Sequence, residues 1–270
     1  FDSGSVTVGP HRTRLGNYTQ INGKQLAVSG TRRAVDQAGV ADEYAYQLKK
    51  RGTELRRDVE FDAVHSYNVA SASGTRSMGG YQSFINDAAT VNYVGDFEAP
   101  TTTNAGTATV TGVSAADNTR GALALSDIDA VMQKIYEEGG KATRVMLSPK
   151  LRRDFSDLIQ AESNVRRNVD ESGKLRQSVD VYMSDFGDLM VVPNYIMGLA
   201  NNVDFGNGNV DVADFGALIY DPMWFNIATL RPLTEVDVGQ KGDSTVGMMV
   251  EETTLEVRNP KGCGAIYGLV

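Results

Sequence analysis

Residues 40–69 constrain the fold more than any other stretch. They read VADEYAYQLKKRGTELRRDVEFDAVHSYNV, with no proline and a single glycine. Leu, Glu, Lys, Arg and Ala dominate, and these residues give up little side-chain freedom in a helix. Tyr44, Leu48, Leu55, Val59 and Ala63 recur at spacings of four and seven, which puts them on one side of a helix. Acidic Asp42 and Glu43 fall in the expected first turn, where the macrodipole favours negative charge, and SASG at 71–74 ends the run. A helix over 40–69 spans about 45 Å, well beyond the usual three turns. With only one apolar stripe, such a rod lies across a surface rather than inside a core.

The segments around the rod have a different grammar. Residues 1–13 are Gly, Ser, Thr and Val without helical period and read as an extended arm. Residues 14–30 have strand character, and Asn22-Gly23 between two β-prone runs predicts a tight turn. Thr31 is placed to cap a short helix stopping at Gly39, and residues 77–85 read as irregular to extended. The uncharged Thr-Ala-Gly stretch at 100–118 reads as a loop. A second helix is expected over 126–138, capped by Ser126, with Ile128, Val131, Met132 and Ile135 inward. A buried strand at 144–150 leads through Ser148-Pro149 into a helix carrying Leu151, Phe155, Leu158 and Ile159.

After a polar loop at 162–178, residues 179–187 and 189–194 form an expected hairpin. A Gly- and Asn-rich stretch occupies 198–216. Residues 217–233 are strand material broken at Asp221-Pro222, beside the single tryptophan, Trp224. A return strand is expected at 246–258 after a turn at Lys241-Gly242-Asp243, and a last apolar strand at 264–270. This order predicts an α+β fold with antiparallel pairings, not a wound α/β sheet.

The chemistry-bearing residues are sparse. One cysteine, Cys263, excludes an internal disulfide framework and a thiolate zinc cluster, and reads as a small packing residue. His11 and His65 are the two histidines; His65, beside Ser66 on the rod, reads as a surface or interface residue without an acid partner. Adjacent acids such as Glu137-Glu138 and Glu251-Glu252 read as solvated. GNGNVD at 206–211 is a single degenerate copy of a calcium-repeat pattern and reads as a loop. No nucleotide-binding loop, nucleophile elbow or zinc-protease helix is present, so neither a cofactor, a metal nor an enzymatic activity is expected. No apolar run reaches membrane-spanning length, and no membrane partner is expected.

Net charge is −8, spread unevenly: residues 1–90 hold 11 basic and 9 acidic groups, the remainder 15 and 25. Such a chain does not grip nucleic acid tightly by counterion release, which leaves only weak, non-specific contact through basic clusters. Those clusters are Lys49-Lys50-Arg51 and Arg56-Arg57, interleaved on the rod with Glu54, Asp58, Glu60 and Asp62. Mixed charge at helical spacing marks a solvated face, or a surface that meets copies of itself and uses charge to set register.

Taken together, several blocks resemble the major capsid proteins of tailed bacteriophages with the Hong Kong 97-type fold, in the branch typified by phage SU-ten. They are TRLGNYTQI (13–21), AVSGT (27–31), YQLKKRGTELRRDVE (46–60), EEGG (137–140), VMLSP (145–149), VDVYMSDFGDLMVVPN (179–194), YDPMWFNIATLRPL (220–233), KGD (241–243) and MMVEETTLEVRN (248–259), in the family's order.

The resemblance implies an arm and extended-loop remnant over 1–39, a spine helix and peripheral domain over 40–120, and an axial domain over 121–222. It further implies a long peripheral hairpin over 223–258 and a return to the axial domain over 259–270. It places an arm and a first extended-loop strand ahead of residue 1, and makes 198–216 an insertion. The implied function is a shell subunit that assembles into hexamers and pentamers around double-stranded DNA. Its implied partners are itself, a portal, and decoration or scaffolding proteins, in a virion assembled in the host bacterial cytoplasm. The subunit-interface candidates are Arg14, Lys49, Lys50, Arg51, Glu54, Arg56, Arg57, Asp58 and Trp224. The alternatives are an encapsulin-like nanocompartment shell and, lower, a hydrolase or carbohydrate-binding domain with its site at 198–216.

Overall fold

A computed structural model describes residues 16–35, 39–66, 76–85, 91–93, 121–161, 181–198, 215–267 and 269. The arm at 1–13, the stretches at 100–118 and 162–178, and most of 198–216 lie outside the described residues.

Strand β1 (Gln20–Ser29) runs straight through Asn22-Gly23, so the expected turn does not form. Strand β8 (Ser244–Val257) pairs with all of β1, from Gln20↔Thr253 to Ser29↔Ser244, and this continuous ladder outweighs a local turn preference. Helix α1 (Gly30–Ala34) is capped by Ser29, not Thr31, and ends well before Gly39.

The rod forms as helix α2 (Glu43–His65). Asp42 is its cap rather than a first-turn residue: the carboxylate accepts from the Tyr44 amide at 2.9 Å. Ser66 already has extended backbone, so the helix is shorter than 40–69 at both ends.

Strand β7 (Phe225–Lys241) and β8 form the long hairpin, which turns at Gly242 with φ of +65°. With β1 they make a three-stranded antiparallel sheet, ordered β1-β8-β7. Helix α2 crosses one face, where Lys24 Nζ meets Asp58 at 2.6 Å and the Tyr44 hydroxyl donates to Glu235 at 2.6 Å. Strand alternation places Ile21, Gln25, Val236, Met248 and Val250 on the opposite face.

Beyond α2 the chain makes one helical turn, α3 (Tyr81–Phe84), where irregular to extended backbone was expected. The turn swings Phe84 and Ile85 inward and sets the Tyr81 ring edge-on to Phe225, 4.7 Å between centroids.

The second sheet contains β2 (Val91–Tyr93), β3 (Arg144–Leu147), β4 (Val181–Ser184), β5 (Gly187–Pro193), β6 (Phe215–Tyr220) and β9 (Gly264–Tyr267), ordered β2-β9-β6-β3-β5-β4. Two of its pairs, β2/β9 and β3/β5, are parallel, beside the expected antiparallel pairs β3/β6, β4/β5 and β6/β9. A parallel pair needs a crossover, and α5 (Pro149–Ala161) begins the one from β3 to β5.

Helix α4 (Leu125–Glu137) starts two residues ahead of the expected position. Asp127 reaches back to accept the Ala124 amide at 3.1 Å, so Ala124 holds the cap position assigned to Ser126. Helices α4 and α5 cover one sheet face, burying Ile128, Val131, Ile135 and Phe155 against Val145, Leu147, Leu189 and Ile219. The other face packs Leu218, Ala265 and Tyr267 against Val64, Ile85, Ile196, Phe225 and Leu255. The last turn of α2 therefore enters a core. Each fully buried large side chain contributes roughly 1.5–3 kcal/mol.

Candidate assembly surface

Polar contacts, beside buried Leu26, Val28, Leu55 and Met249, hold α2 and the segment after it to the three-stranded sheet. Glu252 is their hub. Strand alternation separates it from Glu251 and turns it to the face opposite α2, where it is 3% exposed. The expectation of a solvated acid pair is corrected there. The Thr19 hydroxyl donates to Glu252 Oε1 at 2.6 Å, Arg76 Nη2 reaches the same oxygen at 3.0 Å, and Arg231 Nε reaches Oε2 at 2.8 Å. The Thr19 hydrogen bond, with the Arg231 and Arg76 charges, holds this carboxyl below the usual range against the effect of burial. Three chain segments thus converge on one carboxylate.

Asn17 makes a second joint. Its Nδ2 donates to Gly79 O at 3.0 Å and Leu255 O at 2.9 Å, while its Oδ1 accepts from the Gly79 amide at 2.8 Å. Beside it, a Cβ on Gly80 would lie 2.5 Å from Ala63 O and 2.7 Å from Asp62 O, so only glycine permits this backbone approach.

Asp62 makes the third. Its Oδ2 accepts from Gln20 Nε2 at 2.6 Å and from Asn22 Nδ2 at 3.3 Å. Burial, with repulsion from Asp58, pushes its carboxyl up to about 6 despite those two amides and Lys24.

His65 is 3% exposed, which corrects its expected place at the surface. It sits on the turn of α2 that enters the core, its ring tilted against Phe61 with centroids 4.7 Å apart, and its Nε2 donates to Ile196 O at 2.8 Å. Burial lowers its pKa. Ser66 donates to Met78 O, so the two neighbours do not pair as base and nucleophile. Cys263 is buried, as a packing residue should be, and burial pushes its thiol up to about 12. Among the described residues no three metal-ligating side chains cluster, and no helix is long and apolar enough to cross a membrane.

The sequence candidates do not form one cluster. Arg14 lies outside the described residues. Arg51 pairs with Glu54 at 2.6 Å and Asp58 with Lys24, so these three charges are engaged within the subunit. Lys49, Lys50, Arg56 and Arg57 are exposed. Trp224 is half-buried against the second core. Sequence reasoning missed Asn17, Gln20 and Arg76 and misread Glu252; their sole signal is a polar residue in a strand-like or turn context.

Solved shells share this arrangement at low identity. The SrpI encapsulin complex of Synechococcus elongatus PCC 7942 aligns with a TM-score of 0.57 at 9% identity, over 93% of this chain and 74% of that one. The mature capsid of bacteriophage PhiM1 gives 0.52 at 13% identity, over 99% and 78%. The capsid of cyanophage P-SCSP1u gives 0.52 at 13%, over 98% and 80%. These likenesses define the fold: α+β, of the Hong Kong 97-like kind. No curated protein matches the sequence significantly. Residues 5–270 match the SU10 major capsid protein family, and the chain belongs to that family. It is a structural subunit that associates with itself into a capsid shell of the virion. The encapsulin shares the fold; the family match favours the phage capsid.

Proposed function

We propose that this chain assembles into hexamers and pentamers of an icosahedral phage head that encloses double-stranded DNA, and that it has no catalytic role. The observation that carries this reading is strand β7. It is 17 residues long, largely exposed, and pairs with β8 alone among the described residues. An edge of this length is a template for another chain. In a shell, neighbouring subunits cover it. The three-stranded sheet with α2 acts as the peripheral domain, together with 40–120 and the hairpin of 223–258. Residues 121–222 and 259–270 act as the axial domain around the capsomer centre. The arm and extended-loop remnant within 1–39, with Arg14, contributes to subunit contacts, and Trp224 lies beside one. A portal occupies one vertex, decoration or scaffolding proteins complete the partner set, and assembly takes place in the host bacterial cytoplasm.

Electron microscopy of purified native particles, with absorbance at 260 and 280 nm, tests the reading. Closed shells containing DNA are expected. Shells filled with protein cargo point to the nanocompartment instead. A full-length chain that stays monomeric at every concentration refutes both.

A further inference from the structure

The polar hold of α2 on the six-stranded sheet runs through one short segment after β5. The Asn194 amide donates to Leu147 O at 2.8 Å, and Asn194 Oδ1 accepts from the Ile196 amide at 2.8 Å, which ties residues 194–196 to β3. Two residues of α2 grip that segment. Glu60 Oε1 accepts from Asn194 Nδ2 at 2.9 Å, and His65 Nε2 donates to Ile196 O at 2.8 Å. The second grip sets the protonation state of His65. A carbonyl only accepts, so Nε2 carries the proton and Nδ1 a bare lone pair. Nδ1 is buried and has no hydrogen-bond partner among the described residues. A second proton there would put a charge and an unpaired N–H inside a core.

No anion is free to compensate that charge. Glu60 is held by Asn194, Asp62 by Gln20 and Asn22, and Lys24 of β1 pairs with Asp58. Tyr81, Tyr220 and Cys263 of the same core are pushed up by burial and stay neutral. Burial therefore dominates and lowers the His65 pKa from its ordinary 6.5. Its stabilising contribution is present above that value and is lost as pH falls. Asp62, three residues earlier and turned to β1, responds in the opposite sense. Its carboxyl, pushed up to about 6, strengthens the joint to β1 as pH falls through that value.

We infer that acidification loosens the last turn of α2 from the six-stranded sheet while tightening its hold on β1, so that this one helix is a pH-directed hinge between the two sheets. The device needs both faces of a single turn: Asp62 accepting from one sheet and His65 donating to the other.

The test follows amide exchange of the full chain by mass spectrometry between about pH 7.5 and pH 5, corrected for the intrinsic pH dependence of exchange. Protection over residues 61–66 and 194–198 should fall about fivefold or more on acidification, while that over 20–25 rises. His65→Gln retains a donor for Ile196 O but does not titrate, so the fall should vanish. Asp62→Asn should keep the fall and lose the rise. Deuterium uptake at the His65 imidazole C2 position gives its midpoint on the wild-type chain, with no variant needed; the midpoint should lie below 6.5. A midpoint at or above 6.5 overturns the inference. So does an equal fall in His65→Gln, or no fall in wild type. An equal loss of protection over 20–25 also overturns it, because the whole subunit is then loosening rather than one joint.

Discussion

The two sheets of this subunit are finished in different ways. The six-stranded sheet has an apolar core on each face, from α4 and α5 on one side and the end of α2 with Phe225 and Leu255 on the other. The three-stranded sheet has α2 on one face only, secured by Lys24–Asp58, Gln20–Asp62 and Tyr44–Glu235. Its other face exposes Ile21 and Val236, and its β7 edge exposes Ile227, Leu230 and Val238. The first sheet is covered by apolar side chains on both faces. The second is held in shape by directional polar contacts while apolar surface remains for neighbours, which is what a shell subunit requires.

Leu55→Pro tests this contrast most severely. Leu55 is fully buried at the centre of α2, and proline inside a helix costs about 3 kcal/mol or more before the lost packing is counted. Closed shells should disappear from electron micrographs; wild-type yield would show that the rod is dispensable.

Phe155→Ala probes the other lobe. It should lower the stability of the unassembled subunit by about 3–5 kcal/mol, read from the denaturant midpoint, because Phe155 is wholly enclosed. A change below about 1 kcal/mol would remove the distinction between the lobes.

Gly80→Ala forces a Cβ onto the carbonyls of Asp62 and Ala63 and should cost roughly 1–3 kcal/mol in the same measurement. No loss would show that the backbone yields easily at this joint.

Asp62 has the smallest expected effect, and it depends on pH. Its folded carboxyl titrates at about 6, above the unfolded value, so its stabilising contribution is fully present below the unfolded value and is lost as pH rises through about 6. Asp58 adds like charge and Lys24 opposes it. From pH 5 to 7.5 this group should cost on the order of 1 kcal/mol, after solvent screening. Asp62→Asn should abolish that part of the slope in thermal unfolding; an unchanged slope places the titration elsewhere.

What the sequence made legible follows physical range. The rod, the buried faces of α4 and α5, the β4–β5 hairpin and the long β7–β8 hairpin were readable because periodicity and turn chemistry are local. The errors arose where tertiary pairing overruled a local signal. Asn22-Gly23 is a good turn sequence, but β8 offered a full ladder. Ser126 is a good cap, but Asp127 secured Ala124. Glu252 looked solvated because nothing local reveals Arg76 and Arg231 waiting across the fold. His65 looked exposed because polar neighbours hide the entry of α2 into a core. For the basic clusters, mixed charge was legible, but only the fold shows that Arg51, Glu54 and Asp58 are engaged within the subunit.

Hydrogen exchange along β7, compared between the free subunit and the closed shell, tests most directly whether neighbours complete the open sheet. Amides of residues 225–241 that do not pair with β8 should exchange rapidly in the free subunit and become at least tenfold slower in the shell. Amides of β3 and β6 should be protected alike in both. Rapid, unchanged exchange along β7 in closed shells would show that the edge stays open, and that the subunit is not completed by its neighbours there.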